Sequence, residues 1–90
     1  MEVYFKNSFI KDFKKLPAGK KKEIKKLCVE VFPTIHTLQE LKNYSIKQIK
    51  GFKNYYRIRV GEYRIGFKKS GNKVIFMRVL HRKDIYKFFP

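Results

Sequence analysis

One cysteine, three prolines, no tryptophan and only seven acidic residues occur in this 90-residue chain, and each scarcity narrows what the protein can be. Cys28 has no partner for an internal disulfide, and its place in a helical pattern makes it a small apolar packing residue. No apolar run approaches the roughly 18 residues needed to cross a bilayer, and the start, MEVYFKNSFIKDF, lacks a basic segment leading into a sustained apolar core. A cytoplasmic protein with no membrane association is expected. Two histidines and one cysteine, far apart, match no metal-ligand spacing, so neither metal nor cofactor is expected. Repeats, low-complexity linkers and a helix-turn-helix signature are also absent.

Basic residues dominate instead: 23 Lys and Arg against 7 Asp and Glu give a net charge of +16. The excess is uneven, with 10 basic against 5 acidic residues through Ser45 and 13 against 2 after it. All five arginines follow residue 56. Such a charge favours nucleic acid, an acidic membrane surface or an acidic protein, and salt weakens each of these associations. A hydrophobic content of 43% over this length suits a single domain, residues 1–90, with one modest core.

Val3 to Phe5 predicts a short strand, followed by a helix capped by Asn7 or Ser8, with Phe9, Phe13 and Leu16 at helical spacing. A second helix is expected from Ala18 to Val31, where Ile24, Leu27, Cys28 and Val31 form a stripe opposite Lys20, Lys21, Lys22, Lys25 and Lys26. Pro33 should end it. The two helices read as a hairpin whose apolar faces need a sheet to cover them. Leu38 and Leu41 allow one helical turn, and Ser45 to Ile49 can form a first strand. Tyr55–Val60, Tyr63–Lys68 and Val74–Leu80 then read as an antiparallel meander, with Ser70-Gly71-Asn72 as its second turn. HRKDIYKFFP closes the chain with one short helical turn packing back through Ile85 and Phe88 or Phe89. The fold class is α+β: an N-terminal strand and helical hairpin on a small antiparallel sheet.

The most informative segment is YYRIRVGEYRIGF, residues 55–67. Side chains alternate across a strand, so Arg57 and Arg59 point away from Tyr56, Ile58 and Val60. Pairing through the Gly61-Glu62 turn can bring Arg64 beside them. Arginine presents a flat, permanently charged fork that matches phosphate oxygens, so three of them on one face suggest an anionic ligand. His36, between Ile35 and Thr37, reads as a surface residue.

The order of strand, helical hairpin, YYRIRVGEYRIGF, strand and HRKDIY resembles the RelE/ParE superfamily of type II toxins across essentially the whole chain. Its most specific parts are IKGFKNYYRIRVGEYRIGF and VLHRKDIY. The RelE branch implies a metal-independent ribonuclease that cuts mRNA in the ribosomal A site and is held inactive by a cognate acidic RelB-like antitoxin, with operator DNA reached only through that antitoxin. In such chemistry the 2′-hydroxyl attacks the neighbouring phosphate and leaves a 2′,3′-cyclic phosphate. The resemblance implies that Arg57, Arg59, Arg64 and Arg82 stabilise the charge that develops on phosphate, that His81 or Tyr86 moves protons, and that Lys50 and Lys53 contact RNA. The ParE branch implies inhibition of DNA gyrase without RNA cleavage. A basic RNA-binding module without catalysis is a third possibility.

Overall fold

In the computed structural model, which describes residues 1–90, the elements run β1 (Glu2–Phe5), α1 (Asn7–Lys14), α2 (Ala18–Lys25), β2 (Ile46–Gln48), β3 (Tyr55–Val60), β4 (Tyr63–Ser70), β5 (Lys73–His81) and α3 (Arg82–Phe88). The five strands lie in the order β1-β5-β4-β3-β2. Strands β2 to β5 form the expected antiparallel meander, with Gly61 and Gly71 at its tight turns, each at φ 59°, where a side chain would be strained. β1 differs: it lies parallel to β5, with Val3 beside Val74 and Phe5 beside Phe76, which makes the sheet mixed.

α2 does not stop at Lys25. Its helical path widens over Lys26–Val31 and tightens over Phe32–Thr34. Pro33 therefore sits inside the final turn instead of ending the helix before it; at the start of a tight turn no N–H is required of it. The helical hairpin buries Ile24, Leu27 and Phe32 against Ile58, Ile65, Phe67, Val74 and Phe76 of the sheet. Phe32 stands edge-on to Phe76 at 4.9 Å and to Phe67 at 5.6 Å between ring centres, and aromatic burial of this kind supplies much of a small core's stability. No helix is long and apolar enough to cross a membrane.

Because β1 ends opposite Phe76, the rest of β5 would be a bare edge. α1 seals it. Neither Asn7 nor Ser8 caps α1; Ser8 Oγ donates instead to the Met77 carbonyl at 2.6 Å. Asp12, only 6% exposed, accepts from the Val79 N–H at 3.1 Å and takes a two-pronged contact from Arg78, at 2.7 Å from Nε and 3.0 Å from Nη2. One carboxylate thus satisfies both a strand edge and a half-buried cation.

α3 lies on the other face. Phe89, just past its end, rests on Gly66, the residue in register with Arg57 on one side and Arg78 on the other. Ile85 and Phe89 are buried there, apart from the main core, while Phe88 is 56% exposed. Of the two candidate tail residues, Phe89 is the one that closes onto the sheet.

A methyl group at Gly66 would meet three ring carbons of Phe89 at 2.5–2.6 Å, whereas one at Gly19 meets nothing. Gly66→Ala is expected to destabilise by about 1–3 kcal/mol, and Gly19→Ala, in α2, to stabilise by up to about 1 kcal/mol, both read from urea unfolding. Equal midpoints for the two variants would refute the close packing of Phe89. Asp12→Ala leaves the Val79 N–H and the Arg78 guanidinium without their acceptor; a loss of about 2–4 kcal/mol is expected, and a loss below about 1 kcal/mol would remove Asp12 from this role.

Candidate functional site

The pleat decides which side chains share the open face. Arg59 stands opposite Arg64 across β3 and β4, and Lys47 of β2 stands opposite Arg57. Residues directly opposite in a ladder point to the same side. Four cations therefore face away from the helical hairpin, and α3 folds over one end of the row. Between them is a pocket of about 150 Å³ lined by Ser45, Lys47, Arg57, Arg59, Arg64 and Tyr86.

Each side chain is held differently. Arg64 Nη1 donates to the carbonyls of Gly61 at 2.9 Å and Tyr63 at 3.0 Å, so the hairpin's own backbone anchors that guanidinium. The Arg57 guanidinium lies 4.5 Å from the centre of the Tyr86 ring, a cation–π contact that joins α3 to β3. Arg59 is exposed. Tyr86 is 66% exposed, open to solvent on the side away from Arg57. No carboxylate lines the pocket, so nothing within it neutralises the four cations. A phosphate would do so, and the guanidinium forks suit its oxygens.

His81 and Arg82 are not in the lining. His81 pairs with Tyr63, one row along from the Arg64–Leu80 pair, and so points to the opposite face from Arg64. It is the N-cap of α3: Nδ1 accepts the Lys83 N–H at 3.2 Å, which in the neutral ring places the proton on Nε2, 4.0 Å from Glu62. Tyr63 meets the imidazole edge-on at 5.6 Å. Arg82 Nε reaches Glu62 Oε2 at 3.0 Å, an exposed ion pair that draws the guanidinium to the hairpin tip. Lys50 and Lys53 lie on the β2–β3 loop, where with Phe52 they line a separate shallow groove.

Of the sequence candidates, the pocket brings together Arg57, Arg59, Arg64 and Tyr86. Ser45 and Lys47 are additions. The signal for Lys47 was its placement, one residue into a short strand antiparallel to β3, but only the register shows that it falls opposite Arg57. Arginine stays charged, so among the lining residues the groups that could take part in proton transfer are Ser45, Lys47 and Tyr86.

Comparison with known proteins identifies a family for the chain. The family model described as the ParE toxin of type II toxin-antitoxin systems, parDE, matches residues 3–86. Toxin RelE3 of Methanocaldococcus jannaschii is 51% identical over 90 residues, spanning the whole of both chains. In the crystal structure of the RelB-RelE antitoxin-toxin complex from Methanococcus jannaschii, the matching chain is 50% identical, with a TM-score of 0.82 over 98% of this chain and 100% of that one. The isolated E. coli RelE toxin, at 20% identity, shares the fold, with a TM-score of 0.66 over 96% of this chain and 90% of its own.

Proposed function

This chain belongs to the RelE/ParE superfamily of type II toxin-antitoxin toxins, and from that premise we propose that it is a metal-independent endoribonuclease that cuts mRNA in the ribosomal A site. The observation that carries the proposal is the pocket itself, three arginines and a lysine with no internal counter-charge and a tyrosine at its mouth.

In this reading the scissile phosphate sits among Arg57, Arg59, Arg64 and Lys47. The 2′-hydroxyl on its 5′ side attacks phosphorus, the bond to the 5′-oxygen breaks, and the upstream fragment keeps a 2′,3′-cyclic phosphate. The attacking hydroxyl gives up a proton and the leaving oxygen takes one, so no net water is consumed. Negative charge grows on the phosphoryl oxygens as the new bond forms, and prearranged guanidinium groups meet it without reorganising. The Arg64 anchor to the hairpin carbonyls supports this role because it limits the motion of that fork.

Tyr86 is the group we assign to proton transfer, on its position in the lining. His81 is assigned to holding the start of α3, and through it Tyr86, because its Nδ1 lone pair is already used. Arg82 serves as a rim cation, released from Glu62 when a phosphate competes for it. Lys50 and Lys53 extend the basic surface for RNA beyond the pocket.

The partner that restrains such a toxin is an acidic, RelB-like antitoxin, and it contacts operator DNA on the toxin's behalf. The family's gyrase-inhibiting branch is the second reading, carried by the ParE description of the matching model. A four-cation pocket with a tyrosine favours the nuclease, since inhibition by binding requires no proton-transfer group.

Ribosomes programmed with a short message and mapped by primer extension test this. The wild type is expected to cut within the A-site codon. Arg64→Ala and Tyr86→Phe are each expected to lose about 10²-fold or more in rate, while His81→Ala loses about 1 kcal/mol of stability as a removed cap and keeps most of its cleavage. An intact message with wild-type protein would move the assignment to gyrase; full activity in Tyr86→Phe would remove that residue's role.

A further inference from the structure

Behind the arginine pocket, on the face that carries the helical hairpin, the tight turn Leu38–Glu40 stands away from the β2 edge and leaves an open cleft of about 520 Å³. Its walls include the rings of Tyr44 and Tyr56, the amides of Gln39 and Gln48, His36 and Lys69. Gln48 pairs with Tyr56, whose ring stacks on Phe67 at 5.5 Å and 15°, so this wall is fixed by the core. The facing wall is fixed as well. Glu40 accepts the N–H groups of Thr37 and His36, both at 2.7 Å; those bonds lower its carboxyl from the ordinary glutamate value and close the turn.

The cleft joins the proposed RNA surface. Lys47 enters the arginine pocket, and its neighbour Gln48 borders both the cleft and the groove of Lys50 and Lys53. A polynucleotide leaving the pocket at β2 thus meets a lysine-lined path around the sheet edge. We propose that the cleft holds an unpaired nucleobase of the same RNA strand whose phosphate occupies the arginine pocket. This rests on the nuclease reading.

The chemistry of the walls selects that ligand. A glutamine amide offers a donor and an acceptor that match a base edge, tyrosine rings offer π-faces for stacking, and Lys69 is available for a phosphate. The contrast with the groove between α1 and α2 is informative. That groove, of about 240 Å³ and bordered by Phe5, Phe9, Ile10, Phe13 and Val29, is almost wholly apolar and fits a protein side-chain surface; the cleft is lined by polar and aromatic side chains, two glutamines among them.

The test is photocrosslinking of a 4-thiouridine-containing single-stranded RNA to the full chain, mapped by peptide mass spectrometry, beside anisotropy titrations of the same RNA. Adducts are expected on the peptides containing Tyr44 or Tyr56. Because Gln39 and Gln48 are both exposed, the double variant Gln39→Ala, Gln48→Ala is expected to keep the wild-type circular dichroism and to bind RNA about fivefold more weakly, with an unchanged salt slope. Wild-type affinity in that variant, with adducts confined to residues 57–70 and none at Tyr44 or Tyr56, overturns the cleft while leaving the nuclease reading intact. Adducts at Tyr44 or Tyr56 with no cutting of a ribosome-bound message uphold the cleft and overturn the nuclease. Failure of the wild type to bind RNA overturns the nucleobase assignment.

Discussion

The contact on which the site depends is the Phe89 ring resting on Gly66. α3 has seven residues, fewer than an isolated helix needs to be stable in water, so its place is set by packing. Ile85 and Phe89 supply that packing, and the bare backbone of Gly66 is what lets an aromatic ring come down onto the centre of the sheet. From that seat the helix presents Tyr86 over Arg57 on β3, while Phe88 meets the Arg78 guanidinium at 5.2 Å. Arg78 in turn is fixed by Asp12 of α1. The two helical layers are thereby connected around the free edge of β5, and the pocket inherits the rigidity of both.

A row of four cations is costly in the absence of a ligand, and the fold accepts it through geometry. The guanidinium of Arg64 is bonded to carbonyl oxygens of its own hairpin, and Arg57 is shielded by an aromatic face. Glu62 is at this end of the sheet, and it is occupied by Arg82 at the hairpin tip, outside the pocket. The uncompensated charge is concentrated where an anion would be received, which is the arrangement expected of a surface that stabilises developing phosphate charge.

Much of this was legible in the chain. The period-two pattern of Arg57, Ile58, Arg59 and Val60 dictates which side chains face the core, and the Gly61-Glu62 turn dictates that Arg64 returns beside Arg59. The parallel pairing of β1 was not legible, because an apolar tripeptide such as Val3–Phe5 carries no sign of strand direction. Lys47 was hidden by the brevity of β2. His81 and Arg82 were expected in the site from the resemblance carried by HRKDIY, but the strand-to-helix junction separates them from the lining: His81 turns to the other face as the cap of α3, and Arg82 is drawn off by Glu62. Sequence proximity does not survive a change from period two to period 3.6.

In the proposed reaction the cation row acts on a phosphate whose own 2′-hydroxyl is the nucleophile. The most direct measurement uses a ribosome-bound message carrying a single 2′-deoxynucleotide on the 5′ side of the scissile bond. This message is expected to stay whole while its all-ribose counterpart is cut to an upstream fragment ending in a 2′,3′-cyclic phosphate, identified by mass. Cleavage of the deoxy-substituted message at the ribose rate, or an upstream fragment ending in a plain 3′-hydroxyl, would contradict it.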